Sequence, residues 1–151
     1  MGRGERESGI LNLESSKTTI RNFTDLDTWK QGHRLVIHIY SVTKQFPIDE
    51  QFGLTSQIRR AAVSVTSNIA EGFSRSSYGD KGHFFTIAHG SLTEVQNQLL
   101  ISRDVGYLSQ AEFDKLAEQT VVIHKLLNGL IKSTKQKHHK IPNSRFKIHN
   151  S

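Results

Sequence analysis

Glu71 and Glu94 are the side chains whose type and setting come nearest to chemistry. Each is an acid in an otherwise charge-poor, helix-patterned segment. Paired carboxylates inside a helical bundle can hold metal ions or move protons. The partner pattern such centres use, a histidine three residues after a glutamate, is missing. Ser74 follows Glu71 at that spacing, and Asn97 follows Glu94. The bland reading is therefore the stronger one: a structural polar network of Gln57, Ser64, Asn68, Glu71, Ser91 and Glu94, with Arg59 and Arg60 as further partners. Such a network sets helix register rather than performing a reaction.

The histidines give no better centre. His33 and His38 are five apart, and His83 and His89 are six apart. Two ligands on one helical face need a spacing near four. His138-His139 lies in a basic tail, where metal contact would be adventitious. No phosphate-cradling loop or nucleophile elbow is present, and His89-Gly-Ser-Leu-Thr fits neither. With no cysteine there is no disulfide, thiolate nucleophile or cysteine-held zinc. No catalytic residue, metal or cofactor is expected.

The basic residues suggest a different chemistry. Beyond Glu118 the chain has no acid but seven bases, leaving thirteen bases against all fourteen acids before that point. Arg59, Arg60, Arg75 and Lys81, with Lys135, Lys137, Lys140, Arg145 and Lys147, form a candidate phosphate-binding set. Tyr78 and Phe146 lie among them as possible stacking surfaces. A solvated face and a solvated tail are the plain alternative.

Apolar periodicity supplies the elements that would position these groups. A first helix is expected from about Thr28 to Gln45, capped by Asp25 or Asp27 and stopped by Pro47. A second runs from a cap at Asp49 to about Glu71, with Gly72 as a left-handed C-cap. Its stretch from Ala61 to Ala70 carries no charge, and a helix so poor in charge is normally covered on several sides. A third spans roughly 78–104, with Ser77 and Asp80 at capping-box spacing. Gly79 and Gly82 each cost about 1 kcal/mol relative to alanine, so its start should fray. Gly106 ends it. Ser109 and Glu112 open a fourth helix, which runs to about Thr134.

Four helices with short loops and no strand pattern define an all-α, antiparallel up-down-up-down four-helix bundle at residues 25–134. A flexible leader at 1–24, pinned by Ile10, Leu11 and Leu13, and a basic disordered tail at 135–151 are expected around it. The charge-poor second and third helices are the expected contact surface between copies. No apolar run approaches the ~20 residues of a membrane span. The N-terminus has neither a signal-peptide core nor a myristoylation pattern, so a soluble, cytoplasmic protein without membrane contact is expected.

Several stretches resemble a known family. They are Trp29 with Leu35-Val-Ile-His-Ile-Tyr40, Phe46-Pro47, and Phe52-Gly-Leu-Thr-Ser-Gln-Ile-Arg-Arg-Ala-Ala62. Ser67-Asn-Ile-Ala-Glu-Gly-Phe73, Ile87-Ala-His-Gly-Ser-Leu-Thr-Glu94 and Gly106-Tyr-Leu complete the set. Together they resemble the 23S ribosomal RNA intervening-sequence proteins over about Leu26 to Lys132. Gly79 and Gly82 depart from the pattern, where that family usually has helix-forming charged residues. The resemblance implies an antiparallel four-helix bundle that assembles as a homopentamer. It also implies a link to RNA through insertions in the ribosomal RNA gene, with no catalytic residue to carry over.

Three functions remain distinguishable. The first is a non-enzymatic homo-oligomer that binds RNA or another nucleic acid. The second is an oligomeric scaffold for a protein partner, without nucleic acid. The third is an enzyme using Glu71 and Glu94, which requires the two carboxylates to meet away from arginine.

Overall fold

A computed structural model describes residues 19–149, with side chains to Lys140. The expected leader with Ile10, Leu11 and Leu13 lies almost wholly outside the described residues, as do the side chains of Arg145, Phe146 and Lys147. The long elements are α1 (Asp27–Thr43), α2 (Leu54–Ser74), α3 (Tyr78–Asp104) and α4 (Gln110–His149). Single 3₁₀ turns at Phe23–Asp25 and Ile48–Glu50 precede α1 and α2. No strand occurs among the described residues.

Successive helices pack side by side, and α4 closes the square by packing on α1. Cross-contacts fix the antiparallel sense. His38 late in α1 meets Gln119 early in α4. Gly32 early in α1 lies against Thr66 and Ile69 late in α2. The chain is thus an all-α, up-down-up-down four-helix bundle. Its centre is aliphatic: Leu35, Ile39, Ile58, Val65, Ile69, Leu92, Val95, Leu116, Ile123 and Leu127 are all fully buried. No described helix is long and apolar enough to cross a membrane.

The local signals differ in how they are used. Ser77 Oγ accepts from the Asp80 amide at 3.1 Å, and Ser109 Oγ from Glu112 at 3.1 Å, so α3 and α4 begin at the expected caps. Asp25 does not cap α1. Its carboxylate accepts from the amides of Arg21 and Asn22, closing the preceding 3₁₀ turn. Asp49 does not cap α2 either: it falls within a 3₁₀ turn, and Glu50 Oε2 reaches the Leu54 amide at 2.8 Å.

Gly72 lies inside α2 rather than at a left-handed end. Among the described residues only Gly106 has a positive φ, at 87°. Gly72 is needed for proximity instead, because a Cβ there would stand 2.7 Å from the buried Phe85 ring. Helix α4 continues through Lys135–Lys140, where a disordered tail was expected to begin. Lysine, glutamine and histidine tolerate a helix, and no glycine or proline lies between Gly129 and Pro142.

Candidate nucleic-acid interface at one end of the bundle

The first turns of α3 meet the stretch of α4 from Thr134 to His138 at one end of the bundle. Two glycines govern this contact. A Cβ at Gly79 would come within 3.2 Å of the His138 ring, and one at Gly82 within 2.9 Å of Thr134 Oγ1. These two glycines are therefore what lets α4 lie close on α3. Between the helices is an open groove of about 310 Å³, lined by Tyr78, Gly79, Gly82, His83, Thr86, Thr134, Lys135 and His138. No carboxylate lines it.

More positive charge stands beside it. Lys137 Nζ sits 5.4 Å from the centre of the Tyr78 ring, a cation–π contact. Lys81 Nζ donates to the Phe73 carbonyl at 2.6 Å, filling an open acceptor at the end of α2. Burial, and after it the nearby Lys137 charge, lowers the Lys81 ammonium below its ordinary value. Two ammonium groups are thus held close enough to disfavour each other, a field that an anion would relieve.

The other predicted basic residues are dispersed. Arg75 pairs with Glu71 at 3.1 Å and lies over the Phe84 ring. Arg59 Nε donates to Thr43 Oγ1 at 2.9 Å with its guanidinium over Tyr40, so it braces α2 on α1. Arg60 is exposed in a separate groove on the outer face of α2. Lys140 is exposed on α4. Of the candidate set, Lys81 and Lys137 therefore come together beside Tyr78, and Lys135 alone lines the groove itself.

The predicted polar network is also divided. Ser64 and Ser91 hydroxyls meet at 2.7 Å across α2 and α3, and Asn68 Nδ2 donates to Ser64 Oγ at 3.1 Å. Gln57, Glu71 and Glu94 lie outside this cluster, all exposed. Glu71 is engaged by Arg75 and has no contact with Glu94. Among the described residues no three metal-ligating side chains converge.

His83 and His138 were not picked out from the sequence as a pair, being 55 positions apart. The available signal was two small residues three apart in α3, Gly79 and Gly82, facing two residues four apart in α4, Thr134 and His138. Each pair marks one helical face.

Comparison with known proteins agrees with this fold. A solved structure from the S23 ribosomal protein family of Bacteroides thetaiotaomicron, described as a protein of unknown function, is similar at 23% identity. The match covers 70% of this chain and 98% of that one, with a TM-score of 0.65. No curated protein matches. The family model described as 23S rRNA-intervening sequence protein matches residues 24–129. The four helices and the stretches from Trp29 to Leu108 fall inside or across that span, and the chain belongs to the 23S rRNA-intervening sequence protein family.

Proposed function

We propose that this chain is a non-enzymatic, homo-oligomeric bundle that binds RNA or another nucleic acid through the basic end groove between α3 and α4. The observation that carries the reading is a groove lined by Lys135, His83 and His138 and by no acid, with the Lys81–Lys137 pair at its Tyr78 edge. Phosphates suit such a surface, since each lysine–phosphate contact releases counterions and makes affinity fall with salt. Tyr78 adds an aromatic edge that can support a base. The family's description, which refers to an intervening sequence of 23S rRNA, supports RNA as the first ligand to try. The resemblance further supports a pentamer as the assembly.

Fluorescence anisotropy with a labelled single-stranded RNA tests this at roughly 50 mM salt, where phosphate contacts are strong. Binding should weaken steeply as salt rises. The Lys135→Glu/Lys137→Glu variant should lose at least about tenfold in affinity and flatten the salt dependence, since two phosphate contacts are removed. Both side chains project from exposed helix surface, so circular dichroism should be unchanged. No binding by the full chain at low salt would overturn the reading. Capture of a protein partner that survives nuclease and high salt would replace it with a scaffold function.

A further inference from the structure

The charge-poor inner sides of α2 and α3 face each other within the chain, in the most extensive helix pairing of the bundle. Their lack of charge therefore needs no second copy. Two other faces remain uncovered. On α2, Val63 is 38% exposed beside Arg60, and Phe52 just before the helix is 91% exposed. They border an open depression of about 820 Å³. On α4, Val121 and Val122 are 48% and 46% exposed. Together with Asp114 and Glu118 they line a second depression of about 560 Å³.

The two faces are complementary. Each has an apolar centre; Arg59 and Arg60 flank one, and Asp114 and Glu118 flank the other, with Lys115 on the α1 side of Glu118. Arg60, Asp114 and Glu118 form no ion pair within the described chain, where only Glu71–Arg75 and Asp104–Arg103 are paired. Because α2 and α4 do not pack on each other, they occupy opposite corners and their outer faces point apart. One chain cannot join its own two faces. A two-fold dimer could not join both pairs at once, since that requires both faces on one side. Head-to-tail contact leaves a free face at each end and propagates until a ring closes.

We infer that the α4 face bearing Asp114, Glu118, Val121 and Val122 docks on the α2 face bearing Phe52, Arg60 and Val63 of a second copy. This rests on the homo-oligomeric reading above and assigns its contact surface. It places the basic end groove outside the contact, because the groove belongs to the outer side between α3 and α4.

Charge exchange tests the contact. Arg60→Glu and Glu118→Lys should each weaken self-association at least about tenfold, read as a lower mass by sedimentation velocity, because each places like charges across a desolvating interface. Arg60→Glu/Glu118→Lys in one chain restores opposite charges and should recover the wild-type mass. Circular dichroism confirms that each variant is folded. Single variants that keep the wild-type mass would overturn the assignment, as would a folded double variant that stays dissociated. A wild-type chain that is monomeric at high micromolar concentration would defeat the homo-oligomeric reading itself.

Discussion

Helix α3 has two long seams, and they are built from different chemistry. Toward α2 it offers Phe85, Ala88, Ser91 and Leu92 to a neutral partner carrying Ala61, Ala62, Val65 and Gly72, all buried. The polar atoms there satisfy one another through Ser64, Asn68 and Ser91. Toward α4 the seam contains His89 against His124, with ring centres 4.6 Å apart, and Gln96 bonded to Thr120. It ends in the basic groove. The first seam fixes the distance between helices, while the second holds groups that respond to protons and anions. Stability should therefore be most sensitive to volume in the α2 seam and to solution conditions in the α4 seam.

Adding a methyl group to each seam gives the largest contrast. In Gly72→Ala the new Cβ would stand 2.7 Å from Phe85 and 3.1 Å from the Lys81 carbonyl. Overpacking of this kind costs about 1–3 kcal/mol. Better helix propensity offsets about 1 kcal/mol, leaving a net loss that urea denaturation should resolve. In Gly82→Ala the nearest atom is Thr134 Oγ1 at 2.9 Å, a single side-chain atom rather than a ring and a backbone carbonyl. Its loss should be smaller, and its RNA affinity should change more than its urea midpoint. Equal destabilisation by the two substitutions would remove the distinction between the seams.

A smaller effect is expected from the hydrogen-bonded cluster. Ser91→Ala removes the 2.7 Å bond to Ser64, and a neutral hydrogen bond contributes about 0.5–1.5 kcal/mol net. Ser64 retains Asn68 Nδ2, so no hydroxyl is stranded. Ser64→Ala should cost more, because Asn68 then keeps only the backbone carbonyl at position 64. The reverse order in thermal or urea unfolding would show that the cluster is not organised around Ser64.

Much of the fold was legible in the sequence because its signals are local. Serine caps at Ser77 and Ser109, the stop at Pro47 and the turn at Gly106 each act within a few residues. The signals that misled depend on what stands opposite. Gly72 has the type of a helix end, but Phe85, thirteen positions later, makes it a point of close approach. Glu71 was expected in a structural polar network with Arg59 and Arg60 as partners, yet Arg75 one turn away takes it at the surface. For the end groove, Lys81, Lys135 and Lys137 were visible as charges. Their placement on one end of the bundle was not, because it depends on α4 extending past Thr134 and on Gly79 and Gly82 letting it approach. Periodicity within one helix cannot report a meeting of two helix ends.

The smallest predicted effect separates the seams by pH. Burial, and secondarily the neighbouring His124, lowers the His89 pKa below its ordinary 6.5. The unfolded chain therefore binds a proton at this site more readily than the folded one. Between the two pKa values unfolding takes up a proton, so stability rises with pH in that window. The contribution is fully present above about pH 6.5 and is lost as pH falls through the lowered native value. His89→Gln should flatten that part of the stability–pH curve, measured as urea midpoint against pH. Ser91→Ala, whose bonded neighbours Ser64 and Asn68 do not titrate, should displace the whole curve and leave its shape unchanged. Retention of the full slope in His89→Gln would move the acid response away from the α3–α4 seam. Loss of the slope in Ser91→Ala would show that the two sides of α3 do not act independently.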